Sequence, residues 1–205
     1  MHKRFLVVAA ALASISAAYA QAVSGPSDAF QVRYASNLNL ADSVINITNA
    51  GTAGGTAPTG NICVNVYTFA ADEQLVSCCS CLVTPDGLNS LSARSDLISN
   101  VLTPAVPTSI VVKLLATTPV GGGCNPSSPT PASLVGGMRA WGTTVHALPT
   151  APGGLALTET EFSPAVLSAT ELAHITSTCG FIQSNGSGFG ICASCRTGGL
   201  GGTKK

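Results

Sequence analysis

Three of the chain's eight cysteines fall within four positions, in the stretch LVSCCSCLVTPDG at 75–87. Cysteines so closely spaced can bind a metal, form a redox centre or form disulfides. Their total is even, and in an exported protein pairing is the expected fate of such a set. Eight cysteines allow on the order of a hundred pairings, which sequence alone leaves open. The disulfide candidates are Cys63, Cys78, Cys79, Cys81, Cys124, Cys179, Cys192 and Cys195.

Two C-x-x-C spacings provide alternatives to simple pairing. Cys78 with Cys81 and Cys192 with Cys195 could supply four thiolates to zinc. Paired zinc knuckles typically lie about 15–20 residues apart, however, and these two pairs are distant in sequence. The second pair could also be a redox dithiol, but glycines flank it where a reactive thiol needs the start of a helix. We therefore expect no metal and no cofactor.

Few other residues have the chemistry of a catalytic site. His146 and His174 are predicted on a strand and on a helix, as surface or core residues. Glu159 and Glu161 are two apart on a predicted strand and share its face, which indicates a solvated surface rather than a catalytic carboxylate pair. The sequence predicts no catalytic residue and a protein that is not an enzyme. An exported enzyme, the least favoured alternative, would need one histidine beside a carboxylate or serine in a pocket.

The cysteine cluster lies in a predicted β-hairpin. The β-rich runs 61–69 and 74–83 are separated by four residues, and TPDG follows the second run as a turn. Side chains alternate along a strand, so Cys79 and Cys81 share one face and Cys78 lies on the other. Depending on register, Cys63 is opposite Cys81 or has Cys78 as its nearest cysteine on the same face. We predict a disulfide from Cys63 to one of them, with the remaining partners in the loop, the helix and the tail.

Two-residue alternation predicts further strands at 29–36, 38–48, 107–118, 137–148 and 155–162. Residues 49–60 and 119–133 are predicted loops rich in glycine or proline, and 88–102 a loop with a short helix near Ser95. A helix is predicted at 168–183, because Ser168 and Glu171 form a capping box before an apolar stripe. About seven strands and one late helix predict a mainly β fold: a disulfide-stapled antiparallel β-sandwich with one C-terminal helix.

The first twenty residues predict export. A short basic start precedes an apolar run, and small residues end at Ala20, as in a secretory signal cleaved before Gln21. We expect a signal peptide at 1–20, a domain at 21–184 and a Gly-rich, Cys-containing tail at 185–205. No later run is long enough to span a bilayer. The predicted location is extracellular, at the cell surface or periplasmic.

The charge content excludes some partners and favours others. Only 9% of residues are charged, against about 25% in ordinary globular domains. Lys3 and Arg4 fall in the predicted signal, so seven of the nine basic residues remain against nine acidic ones. There is no basic surface for nucleic acid. A surface of low charge near neutrality favours self-association or binding to a surface partner.

Three segments together resemble a family of exported bacterial proteins with no assigned activity. They are NICVNVYTF, SCCSCLVTPDGL and HITSTCGFIQSNGSGFGICASC. The resemblance implies export and a bacterial origin, and it identifies no catalytic or ligand-binding residue.

Two non-catalytic functions follow from these features. The first is a secreted structural or surface protein, including a self-assembling extracellular subunit. Residues 21–48 could add a strand to a neighbour's sheet, or could equally be the domain's own first strand. The second is an extracellular ligand-binding module that uses loops 49–60 and 119–133 as a recognition rim. A concave site between these loops would favour the second function.

Overall fold

Alternating side chains build two antiparallel sheets and leave one helix near the end of the chain. The computed structural model describes residues 21–99, 105–185 and 190–193. The strands are β1 (Phe30–Ala35), β2 (Val44–Asn49), β3 (Ile62–Ala70), β4 (Leu75–Val83), β5 (Leu88–Ser92), β6 (Ile110–Thr117), β7 (Met138–Ala147), β8 (Leu155–Glu161) and β9 (Ser163–Pro164). The helix α1 spans Ala169–Ser184. The predicted mainly β fold with one C-terminal helix is confirmed.

The strands are divided between two sheets. Sheet A has the order β4-β3-β6-β1-β9, and sheet B has the order β5-β2-β7-β8. The sheets pack face to face around an apolar core, to which sheet A contributes Val64, Val66 and Leu114 and sheet B contributes Ile45 and Ile47. Burial of these side chains between the two inner faces produces the sandwich.

Helix α1 covers the outer face of sheet A. Leu172, Ile175 and Cys179 pack against Tyr67 and Cys78 in a second apolar cluster. The helix starts as predicted, since Ser168 Oγ accepts a hydrogen bond from the Glu171 N–H at 3.0 Å. Both faces of the central strands are therefore buried, which explains why their sequences are apolar on both sides.

The predicted strand at 38–48 begins only at Val44, and a second segment also differs from the prediction. Residues 88–92 form the strand β5, which pairs with β2, where a loop was expected. Its alternation is only five residues long and includes Asn89 and two serines, so the pattern was weak. The predicted short helix near Ser95 is present as the helical turn Ala93–Leu97, which begins after Ser92.

The predicted tail contains a segment that packs on the domain. The Cys78 N–H donates to the Gly190 carbonyl at 2.7 Å, and the Cys192 N–H donates to the Cys78 carbonyl at 3.4 Å. Cys192 is fully buried. Residues 190–193 of the predicted tail therefore pack against strand β4. The predicted signal peptide and the other tail residues beyond Asn185 lie outside the described residues.

Candidate functional site

Three disulfides connect the β3–β4 hairpin to other segments of the domain. Cys63 is bonded to Cys124, Cys78 to Cys179 and Cys79 to Cys192. Three bridges thus tie one hairpin to the loop 119–133, to α1 and to the segment 190–193. Cys81 is disulfide-bonded as well, and Cys195 lies outside the described residues. Such bridges persist in oxidising environments, so they indicate an extracellular or periplasmic location.

The predicted bridge from Cys63 to Cys78 or Cys81 is wrong, and the hairpin register explains why. Cys63 lies opposite Leu82, while Cys81 lies opposite Val64. Cys63 and Cys81 therefore point to opposite faces of the sheet. Cys78 shares a face with Cys63 but pairs with Tyr67, four residues further along β3, which is about 13 Å away.

The predicted division of the cluster between two faces is confirmed. Cys79 and Cys81 belong to the core between the sheets, whereas Cys78 belongs to the cluster under α1. Bonding of Cys78, Cys81 and Cys192 into disulfides uses the thiols that a zinc or redox site would need.

The structure does not bring the candidate acid–base residues together. His146 lies on β7, where its Nε2 is 2.9 Å from Thr158 Oγ1. His174 lies on α1, beside the other sheet, and its ring stacks on that of Phe69 with centroids 6.3 Å apart. Glu159 and Glu161 are exposed on β8. Within the described residues, no three His, Cys, Asp or Glu side chains are grouped as a metal site requires.

The two predicted recognition loops leave the same end of the sandwich, but they do not share a cavity. A cavity of about 310 Å³ is lined by the Cys63–Cys124 pair, by Thr117 and Thr118, and by loop residues that include Asn125 and Ser128. Across the described chain, residues 49–60 supply none of this lining. That loop folds back on itself, and Asn49 Nδ2 holds it by donating to the Gly60 carbonyl at 2.8 Å.

A buried arginine joins the two sheets. Arg33 on β1 is 6% exposed. Its Nη2 donates to the Gly142 carbonyl at 2.9 Å and to Thr144 Oγ1 at 2.7 Å, and its Nε donates to Thr160 Oγ1 at 3.2 Å. Burial lowers the pKa of the guanidinium. Nη1 is buried with no hydrogen-bond partner among the described residues.

Sequence reasoning missed Arg33 because the alternation in β1 shows two classes of side chain but not which class faces the core. Polar Gln31 and Arg33 face sheet B, and apolar Phe30 and Val32 face the helix layer. No local sequence signal marked the site, because the small residue that makes room for the arginine is on the other sheet: a Cβ on Gly142 would lie 2.9 Å from Arg33 Nη1.

Strand β8 is an exposed sheet edge. It is the last strand of sheet B, and its ladder within the described residues is with β7. Six of its seven residues are exposed, including Leu155 at 50% and Leu157 at 68%. An edge of this kind presents unpaired backbone donors and acceptors to solvent.

No protein-family model matches the chain, and neither a curated protein nor a solved structure shows significant similarity to it. The resemblance to exported bacterial proteins therefore stays a prediction. None of the helices in the described residues is long and apolar enough to cross a membrane. The fold and its bridges define a disulfide-stapled, mainly β domain.

Proposed function

We propose that the protein is a secreted, non-catalytic structural or surface protein that assembles with copies of itself outside the cytoplasm. The exposure of β8 along nearly its whole length carries this proposal. A seven-residue open edge on a disulfide-stapled domain offers an attachment point for another strand.

The surface composition supports self-association. Charged residues make up 9% of the chain, so little electrostatic repulsion keeps copies apart. Large apolar side chains are also exposed in the loops, among them Val106, Val120 and Val166. Scattered apolar residues are ordinary on a surface, but at this charge density they lower the barrier to association.

The proposal includes export by cleavage of residues 1–20. The segment that would follow the cleavage is seated on the domain: the Gln21 carbonyl accepts from the Ala169 N–H at 3.0 Å, and Val23 N–H donates to the Leu167 carbonyl at 2.7 Å. A chain that starts at Gln21 keeps these contacts. Cleavage is therefore compatible with the fold.

Light scattering and electron microscopy of the oxidised 21–205 chain test the proposal. We expect the average mass to rise with protein concentration and ordered oligomers to appear in micrographs. A stable monomer up to high concentration would overturn self-assembly.

The cavity beside Cys63–Cys124 favours a second candidate, an extracellular module that binds a small polar ligand. Its volume of about 310 Å³ lies near the lower end of known ligand sites. The test is a thermal-shift screen with amino acids and sugars. The expected hit raises the Tm of the wild type but not of Ser128→Leu, in which the larger side chain occupies the cavity. An equal rise in both proteins would contradict this site.

A further inference from the structure

Three of the four outer edges of the sandwich are closed at least in part. On β4, the backbone of Cys78 bonds to Gly190 and Cys192. At the other edge of sheet A, the two-residue strand β9 covers residues 31 and 32 of β1. On β5, the outward N–H of Ser92 donates to Asp96 Oδ2 at 2.7 Å. Strand β8 is the edge to which the described residues add no such cover.

The hydrogen bonds to β7 determine which β8 groups face outward. The Leu148 N–H donates to the Gly154 carbonyl and the Phe162 N–H to the Ala140 carbonyl, each at 2.9 Å. Bonded and non-bonded pairs alternate in an antiparallel ladder, so the even-numbered residues of β8 bond to β7. The backbone N–H and C=O groups of Leu155, Leu157, Glu159 and Glu161 therefore point away from the sheet. This array matches the backbone of another strand.

We propose that the occupant of this edge is β8 of a second copy, in an antiparallel pair about a two-fold axis at Leu157. This inference rests on the self-association in the proposed function and specifies its interface. Leu157 would face its own counterpart in the partner, and Leu155 would face the partner's copy of Glu159. A two-fold contact of this kind uses the same surface on both copies.

Charge favours this register over the one with the axis at Thr158. With the axis at Thr158, the two copies of Glu159 would be diagonal neighbours on one face, within about 7–8 Å, and would repel each other. With the axis at Leu157, the glutamates lie at opposite ends of the pair. The exposed leucines then form a shared apolar patch at its centre, and each Glu159 faces a leucine of the partner rather than another glutamate.

The paired segment is short, so the dimer should be weak. A single strand-to-strand contact buries less than the roughly 1,200 Å² of a standard stable interface. We expect reversible dimers with a Kd of roughly micromolar or weaker, and a continuous sheet across the two copies.

Sedimentation velocity of the oxidised 21–205 chain measures this association. Leu157→Lys places a charge at the axis and should weaken the dimer at least tenfold. Phe181→Lys is the matched control, because Phe181 is 66% exposed on α1, on the other side of sheet A. It should leave the Kd unchanged.

Disulfide trapping tests the register with folded, oxidised protein. Two Leu157→Cys copies would have Cα atoms about 5.5 Å apart, within reach of a disulfide, and should cross-link rapidly. Two Glu161→Cys copies would be separated by about 27 Å and should not.

The outcomes separate the interface from the function. Two results would show that this interface is wrong while the wild type still dimerises. One is that Leu157→Lys dimerises equally well, and the other is that Glu161→Cys cross-links as fast as Leu157→Cys. In either case the proposed function stands. If the wild type stays monomeric at every concentration, self-association itself is wrong.

Discussion

Cys78 on β4 is bonded to Cys179 on α1, so one disulfide joins the helix to the outer face of sheet A. The backbone of the same cysteine bonds to Gly190 and Cys192. The next residue, Cys79, points the opposite way and is bonded to Cys192. Cys78 and Cys79 are adjacent on β4 but point to opposite faces. Their two disulfides therefore attach α1 and the segment 190–193 to the same place on this strand.

Removal of the Cys78–Cys179 bridge should release the helix. For Cys78→Ala with Cys179→Ala we expect a loss of about 3–5 kcal/mol in the free energy of unfolding, since the bridge closes a long loop. Chemical denaturation without reductant measures the loss. Hydrogen exchange should also show reduced protection of the α1 amides. In the control pair Cys63→Ala with Cys124→Ala, the α1 amides should keep more protection; equal protection in both variants would contradict the assignment.

The bridge pattern can be read directly by peptide mapping without reduction. We expect linked peptides that contain Cys63 with Cys124, Cys78 with Cys179, and Cys79 with Cys192, and a fourth linked pair that contains Cys81. Mass spectrometry before and after reduction provides the control. A peptide that links Cys63 to Cys78 or Cys81 would contradict the hairpin register, in which Cys63 lies opposite Leu82.

The sequence was sufficient for most of the elements but not for their register. The hairpin, the central strand β6 and the helix from Ser168 follow from periodicity and capping, which are local properties. The Cys63 partner was missed because a shift of one residue exchanges the two faces of a strand. Its actual partner, Cys124, lies in a proline-rich loop whose path depends on tertiary contacts.

The same limit applies to the candidate interface. The sequence could place Leu155 and Leu157 on one face of a strand, but not determine that this strand ends a sheet. Edge position depends on which strands pair: β7 bonds to its sequence neighbour β8 on one side, but its other partner is β2, a strand far away in sequence. Self-association was predicted from charge content, and the segment named for it, residues 21–48, instead contributes β1 and β2 to the domain's own sheets.

Arg33 should be energetically coupled to Gly142. In Gly142→Ala the new methyl would lie 2.9 Å from Arg33 Nη1 and 3.1 Å from the Val44 carbonyl oxygen. We expect a cost of about 1–3 kcal/mol in the free energy of unfolding. In an Arg33→Met background the first clash is absent, so the same substitution should cost less, by about 1 kcal/mol. Urea denaturation of the four proteins completes the double-mutant cycle, and strictly additive costs would contradict the contact.

Asp28 should make stability depend on acid pH. Burial alone would raise the pKa of Asp28, but a hydrogen bond from the Gly137 N–H at 3.0 Å and an ion pair with Arg139 at 2.8 Å outweigh it. The pKa in the folded protein is therefore below the ordinary 3.8. A lowered pKa contributes stability above the unfolded value, and this contribution is lost as pH falls through the folded value.

Asp28→Asn removes this contribution, so the variant should be less stable than wild type at neutral pH. The difference in the free energy of unfolding should be constant above about pH 5 and shrink as pH falls below about 4. Denaturation curves across this range measure it. Arg139→Gln removes the cation but keeps the hydrogen bond from Gly137 to Asp28. Its loss in the free energy of unfolding at neutral pH should therefore be smaller than that of Asp28→Asn, and it should also shrink as pH falls. A difference for Asp28→Asn that stays constant down to pH 2 would show that the carboxylate is not held by these partners.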